Sequence, residues 1–401
     1  MILTGPALHQ RFQALDDFLV AHQHLWRPRP FTCLQLTWET EHPELAGWLR
    51  GRTLEQAEAE HNHPERLSAP APFPDLARRA AELSALGGLP EHDLGPLPER
   101  LSVDVPGRKW QQIAAFAGRL QFSRQPHHWL DWCSGKGHLG RLLAQGGQQL
   151  TCLEYDPQLV AAGQRMSERL HLVASHLQQD VLAADAGERL SAEHSPVALH
   201  ACGDLHVRLL QLASAAGCAQ LAVAPCCYNR ITTAGYQPLS AAARASALQL
   251  SQDDLRLPLA ETVTAGQRLR RQRDLSMARR LAFDLLQREQ RGLDEYLPTP
   301  SLPSSWLDKD FSTYCQDLAA LKSVPLQGAI DWPALEAAGW QRLAQVRNLE
   351  LVRGLFRRPL ELWLLLDRAL YLEQQGYRVR LGTFCTYELT PRNALLLAER
   401  P

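Results

Sequence analysis

The spacing of apolar residues changes several times along the 401-residue chain. Within 7–20, Leu8, Phe12, Leu15, Phe18 and Leu19 recur near a 3.6-residue period, which predicts an amphipathic helix. Between 26 and 48 the aromatic residues Trp26, Phe31, Trp38 and Trp48 lie among prolines with no period. Two Pro-rich stretches follow, at 69–74 and 87–98, and the second reads as a linker. Residues 108–120 predict a helix. From 128 onward, short apolar runs alternate with helix-like stretches, the pattern of βαβ units. Strands are expected at 129–133, 149–154, 170–179, 196–203 and 220–225, with helices at 138–145 and 157–169. Two last strands are expected at 377–384 and 393–398, and 230–376 reads as mainly helical. The organisation expected is a helical N-terminal region, 1–105, and a domain over 106–401 that carries a helical insertion at about 230–376.

Composition narrows the class. With 45% hydrophobic residues the chain is no disordered or collagen-like segment. No run approaches the roughly 18 apolar residues of a membrane span, and the first residues do not read as a secretory leader. Nine cysteines without repeated spacing suit free thiols in a reducing compartment, so a cytoplasmic location is expected. A net charge of −1 hides an asymmetry: residues 1–105 carry −6 and the remainder +5. The segment 268–291 alone holds eight arginines against three acids. Guanidiniums suit bidentate phosphate contacts, so this stripe is the candidate surface for nucleic acid, set against a merely solvated helix face.

The most informative string is Asp131-Trp132-Cys133-Ser134-Gly135-Lys136-Gly137-His138-Leu139-Gly140. A strand that feeds a Gly-rich turn and then a helix brings bare backbone close to a ligand. The spacing Gly135-x-Gly137-x-x-Gly140 fits a dinucleotide site as well. However, Asp131 before the turn would repel a pyrophosphate. S-adenosylmethionine (SAM) suits the position better, because it carries an ammonium and no phosphate. Glu154, 19 residues after Gly135, ends the next strand, where a carboxylate can accept from both hydroxyls of an adenosine ribose. Tyr155 is placed to pack on the adenine, and Asp180-Val181 ends the third strand, where Asp180 can read the adenine amino group. Cys133, Ser134, Gly135 and Gly137 complete the expected cofactor set.

Two further strings end neighbouring strands, Leu199-His200-Ala201-Cys202-Gly203-Asp204 and Ala224-Pro225-Cys226-Cys227-Tyr228-Asn229. In an open parallel sheet that edge is where ligands bind. His200, Cys202, Cys226 and Cys227 are zinc-type ligands, yet no C-x2-C or H-x3-H pair is present, so no metal is expected. The alternative is a substrate wall in which Pro225 shapes the strand exit and Tyr228 offers a ring for stacking. Asp204 or His200 would serve as base for a hydroxyl acceptor. A thiol nucleophile at Cys226 or Cys227 is a further reading, and buried inert thiols are the plain one.

These strings, with the ending Leu389-Thr390-Pro391-Arg392-Asn393, resemble the methyltransferase-like protein 25 family. They are also similar to its relatives among glutathione-S-transferase C-terminal-domain-containing proteins and a transfer-RNA 2′-O-methyltransferase family. The resemblance covers roughly 107–400. It implies an α/β fold with a Rossmann-like class I methyltransferase sheet, mostly parallel with an antiparallel last strand. It also implies SAM as cofactor and RNA, transfer or ribosomal, as the substrate class.

Overall fold

The computed structural model describes residues 1–260 and 267–401. The chain opens with β1 (Leu3–Thr4) and α1 (Pro6–Ala21), followed by α2 (Gln23–Trp26), α3 (Pro43–Arg50), α4 (Leu54–Glu60) and α5 (Phe73–Ser84). After α6 (Gly107–Ala117) come β2 (His128–Trp132), α7 (His138–Leu143), β3 (Gln149–Glu154), α8 (Pro157–Arg169) and β4 (Ala174–Gln178). Next are β5 (His194–Leu199), α9 (Asp204–Ala215), β6 (Gln220–Ala224) and α10 (Ala241–Ala245). The chain then runs through α11 (Gln267–Arg291), α12 (Phe311–Leu321), α13 (Trp332–Gly354) and α14 (Arg357–Gln374) to β7 (Arg378–Thr383) and β8 (Ala394–Glu399). The expected helical insertion is thus helical over much of its described length, and its residues 261–266 lie outside the described ones.

Among the described residues, one sheet of eight strands runs β1-β7-β8-β6-β5-β2-β3-β4. Neighbours from β4 to β6 pair in parallel, and β8 lies antiparallel between β6 and β7. This is the expected mostly parallel, Rossmann-like sheet with an antiparallel last strand. The two-residue β1, antiparallel on β7, is too short to leave a periodic signal. Chain order reverses at β2, which sends β3 and β4 to one side and receives β5 on the other. The crevice outside the carboxyl ends of β2 and β5 is therefore the sheet's switch point, the place such folds use for ligands.

Local chemistry explains the element ends. Asp156 caps α8 by accepting from Gln158 N at 2.8 Å, with Pro157 in the first turn. Thr53 and Gln56 form a reciprocal box at the start of α4. The core on one sheet face gathers Phe116, Leu139, Leu142, Leu150, Val197 and Leu397. Trp129 and Asp131 share that face by strand alternation.

By contacts the chain divides into two compact units. One comprises Met1–Ala21, Leu83–Ala260 and Arg358–Pro401, and the other His22–Glu82 and Glu261–Arg357. The boundary expected at 105 rests on linker composition. The contacts instead place both α1 and the linker 87–98 with the sheet, because β1 pairs with β7 and Leu89 N donates to Thr383 O at 2.9 Å. The second unit is helical, and within it Phe283, Leu286, Tyr314 and Leu318 pack together. No helix among the described residues is long and apolar enough to cross a membrane.

Candidate functional site

The turn after β2 is built from residues in the left-handed region: Cys133 at φ +57°, Gly135 at +58° and Gly137 at +73°. Its three glycines do different things. A Cβ on Gly137 would lie 2.6 Å from His176 Cε1 and 2.9 Å from Cys152 Sγ; one on Gly140 would meet Leu150 Cδ1 at 2.6 Å. Both face inward and permit close packing. A Cβ on Gly135 would meet nothing within 4 Å, so this glycine faces open space.

Asp131, expected beside the cleft, is buried beneath the turn, with Oδ2 accepting from Gly140 N at 2.9 Å. It ties the first turn of α7 to β2. Burial pushes its carboxyl up to about 7, against the pull of the Gly140 N–H, Arg141 and Lys109. Arg141 is buried in the same layer, donates to Lys136 O and lies 3.0 Å from His138 Nδ1. His176 fills the space under Gly137, with Nε2 2.9 Å from Ser167 Oγ. Burial and the Arg141 charge hold both His138 and His176 down at about 4, so both are neutral imidazoles. The half-buried Cys133 thiol is pushed up to about 12 by burial and by Glu154 and Asp131, which keeps it protonated.

Glu154 closes the turn from the β3 side. Its Oε2 accepts from Gly135 N at 2.8 Å, and Oε1 from Tyr155 N at 2.9 Å and Asp156 N at 3.1 Å. A carboxylate offers about four acceptor sites, so one stays open on a rim otherwise organised by the backbone. Ser134 N donates to Leu153 O at 3.0 Å. The Tyr155 ring is 70% exposed at this strand end. Asp180 is exposed, with Oδ1 accepting from Leu182 N at 2.9 Å, while the Val181 side chain is buried. The sequence-derived cofactor residues thus gather at the carboxyl ends of β2, β3 and β4, with Asp131 one layer below.

The second wall comes from the loops after β5 and β6. His200 stands at φ +65°, and its N–H donates to Ala224 O at 2.9 Å. Gly203 N donates to Cys227 O, and Asp204 N to Arg230 O at 3.0 Å. Any Cβ on Gly203 (φ +53°) would run into the Arg230 carbonyl, so the two loops cross with no space between them. The His200 ring places Nε2 2.8 Å from Gln112 Oε1, and the Gln112 amide nitrogen donates to Leu389 O at 3.1 Å. That commitment leaves the amide oxygen for His200, so the proton sits on Nε2 and Nδ1 keeps its lone pair. Burial, with Lys109 next, holds His200 down at about 4. Gln112 and Lys109, both on α6, lie some ninety residues before His200 and carry no motif, so nothing in the sequence marks them.

Asp204 is partly committed. Its Oδ2 accepts from both the backbone N–H (2.8 Å) and hydroxyl (2.9 Å) of Thr232. Pro225 is buried at the exit of β6. Tyr228, expected to offer its ring to a base, instead has its side chain buried and presents no face for stacking. It packs edge-on to His206 with centroids 6.1 Å apart, and the Arg368 guanidinium lies 5.2 Å from its centroid. Arg368 in turn donates to His206 Nε2 at 2.6 Å and to Tyr236 Oη at 3.0 Å, and Tyr236 donates to Asp367. His206 Nδ1 contacts Ala201 O at 3.1 Å, which anchors the loop that holds His200 and Cys202. The thiols of Cys202, Cys226 and Cys227 meet one another, with Cys202 Sγ 3.3 Å and Cys227 Sγ 3.6 Å from Cys226 Sγ.

The arginine stripe is smaller than its sequence suggested. Arg279 is buried and donates to Lys309 O at 2.9 Å; Arg280 donates to Pro300 O at 2.9 Å. Arg288 pairs with Asp284 at 2.9 Å and with Asp294, and Arg291 donates to Gln287 Oε1 at 2.6 Å. These four serve the packing of their own helical unit. Arg268, Arg270 and Arg271 are exposed at the start of α11.

Residues 108–234, from α6 past β6, match the family model of a methyltransferase domain. That stretch contains the Gly-rich turn, Glu154, His200 and the thiol group. The match supports methyltransferase activity of class I type, with S-adenosyl-L-methionine as the donor that such domains generally use.

Proposed function

We propose that this protein is a SAM-dependent methyltransferase acting on RNA. The observation that carries the cofactor assignment is the open side of Gly135, a left-handed glycine at which an added Cβ would meet nothing within 4 Å and whose N–H is fastened to the Glu154 carboxylate. The acceptor set fits SAM: the one open position on Glu154 suits a ribose hydroxyl and Asp180 suits an amino group, and neither carboxylate suits a phosphate. Glu154 would hold the ribose, Asp180 and the Val181 backbone the adenine edge, the exposed Tyr155 ring its face, and the Gly135 turn the methionine end. When bound, the sulfonium supplies an electrophilic methyl group for in-line displacement, so the protein's work is alignment and exclusion of water.

His200 is the candidate base. Gln112 fixes its ring, Nδ1 carries the lone pair, and the ring is unprotonated at neutral pH. It would take the proton of a hydroxyl acceptor at Nδ1. Asp204, held by Thr232, positions the neighbouring loop. RNA as substrate draws its support from the resemblance to the methyltransferase-like protein 25 family and its transfer-RNA relatives. The exposed Arg268, Arg270 and Arg271 are suited to phosphates.

The test offers purified protein SAM labelled in its methyl group together with total cellular RNA or total cellular protein. Label is expected in RNA, and lost with Glu154→Gln, whose affinity for the demethylated cofactor should fall roughly tenfold or more as charge-assisted bonds are weakened. Label in protein alone removes RNA, and unchanged cofactor affinity in Glu154→Gln removes the assignment of the rim.

A further inference from the structure

We infer that Cys202, Cys226 and Cys227 form a thiolate site for one zinc ion, with the fourth coordination position open. Sequence spacing argues against such a site, because adjacent cysteines rarely share an ion and no spaced pair is present. The fold changes that argument, because crossing the loops after β5 and β6 brings Cys202 onto the pair. All three sulfurs lie within 4.8 Å of one another, with two separations of 3.3 and 3.6 Å. Tetrahedral zinc with bonds of about 2.3 Å requires sulfurs about 3.8 Å apart. The ion therefore fits among the three with side-chain adjustments of only a few tenths of an ångström for the two measured pairs.

Three observations bear on the cluster as a metal site. Like Cys33, Cys133 and Cys385, and unlike the buried Cys152, Cys218 and Cys315, the three thiols are half-buried, so an ion can reach them. Their protons have poor acceptors: Cys202 and Cys226 both point at one oxygen, the His200 carbonyl, at 3.6 and 3.3 Å, and otherwise at sulfur. The frame is also rigid before any ion arrives, because backbone bonds from His200, Gly203 and Asp204 to the β6 exit fix the loops that carry the sulfurs. Binding takes Zn2+ and three thiols to a tris-thiolate complex of charge −1 and releases three protons, with no change of oxidation state. The guanidiniums of Arg230 and Arg392 act on Cys227 and offset that charge. Three protein ligands and an open position are the pattern of a zinc that takes water or a substrate atom as its fourth donor.

The experiment uses the full chain, stripped by a chelator and kept under a thiol-free reductant, titrated with Zn2+ and separately with Co2+. A single equivalent of zinc by elemental analysis is expected, with a sulfur-to-cobalt charge-transfer band and intense visible absorption of tetrahedral Co2+. Cys226→Ser and Cys227→Ser should each lose affinity by about 100-fold or more, beyond the roughly 10–100-fold seen for outer partners of a metal site. Cys33→Ser, a cysteine of the helical unit, should bind as the parent does. Circular dichroism and binding of the demethylated cofactor verify that the variants are folded; should either variant unfold, the cobalt spectrum of the parent decides alone. Absence of the charge-transfer band in the parent, or undiminished binding by a folded Cys226→Ser, overturns the site. So does a Cys202–Cys226 disulfide that persists under the reductant. Metal binding is read without methyl transfer, so its failure and that of the proposed activity are distinguishable.

Discussion

Gly135 and Gly137 share a left-handed backbone and differ in what surrounds them, so placing alanine at each separates conformation from packing. Left-handed geometry costs an alanine roughly 1–2 kcal/mol at either position. At Gly135 that is the whole cost to the fold, because the added methyl meets open space. At Gly137 the methyl would stand 2.6 Å from His176 Cε1 and 2.9 Å from Cys152 Sγ, both buried. Overpacking of this kind adds about 1–3 kcal/mol, so Gly137→Ala should cost about 2–5 kcal/mol in total. At roughly 2–4 °C per kcal/mol for a unit of this size, its melting temperature falls below that of Gly135→Ala by about 2–12 °C. Cofactor affinity should show the reverse order: Gly135→Ala puts its methyl on the ligand side and weakens binding of the demethylated cofactor, measured by calorimetry. A double-mutant cycle with His176→Ala should recover about 0.5–3 kcal/mol at Gly137 and none at Gly135. Equal melting temperatures for the two alanine variants, together with no coupling to His176, would refute the division of labour within the turn.

Two other expectations follow from buried charge. Arg368→Met removes the guanidinium that donates to His206 Nε2 and Tyr236 Oη and leaves both buried groups short of a partner; a loss of about 2–4 kcal/mol is expected in urea denaturation, and a loss below 1 kcal/mol would show that the network carries little stability. In acid, His138, His176 and His200 are held at about 4 against an ordinary 6.5, so between those values the unfolded chain binds more protons and stability falls as the pH drops. Asp131, held at about 7 against 3.8, acts in the opposite sense, because the native state keeps its proton across the same window. The pH slope of the urea midpoint over that window should be reduced in His176→Gln, and an unchanged slope would contradict the buried neutral imidazole.

The strands were legible because β2, β3, β5 and β6 are short apolar runs that end in glycine, acid or proline, and the switch-point residues followed from those ends. What escaped the sequence was direction. Asp131 shares a sheet face with Trp129 and points into the layer under the turn, a consequence of strand pleat and of the position of α7. Tyr228 lies one residue beyond the thiol pair, and only the fold shows that its ring turns inward to Arg368. Gln112 reaches His200 from α6 with no local pattern to mark it. The aperiodic stretch 26–48 has a different cause. Its carbonyls are held by arginines of α13, with Arg353 donating to Trp26 O at 2.7 Å and Arg342 to Pro30 O at 2.7 Å. Guanidinium-to-carbonyl bonds set no hydrophobic repeat, so the segment left none to find. The same chemistry consumed Arg279, on Lys309 O, and Arg288, which donates to Thr32 O at 2.8 Å; both look in sequence like part of a basic surface.

The pairing of Leu3 with Leu381 has a consequence for biogenesis. At roughly 5–20 residues per second, a ribosome needs on the order of 20–75 s to deliver β7 after β1 has emerged. For that interval the leading strand has no edge to join, and α1 has none of its α14 neighbours, such as Trp363, whose ring lies 5.3 Å from Phe12. Completion of this sheet is therefore a late event that depends on contacts of extreme sequence separation, the kind that slows folding most. Until it occurs, the nascent chain displays an apolar amphipathic helix to whatever chaperone first meets it.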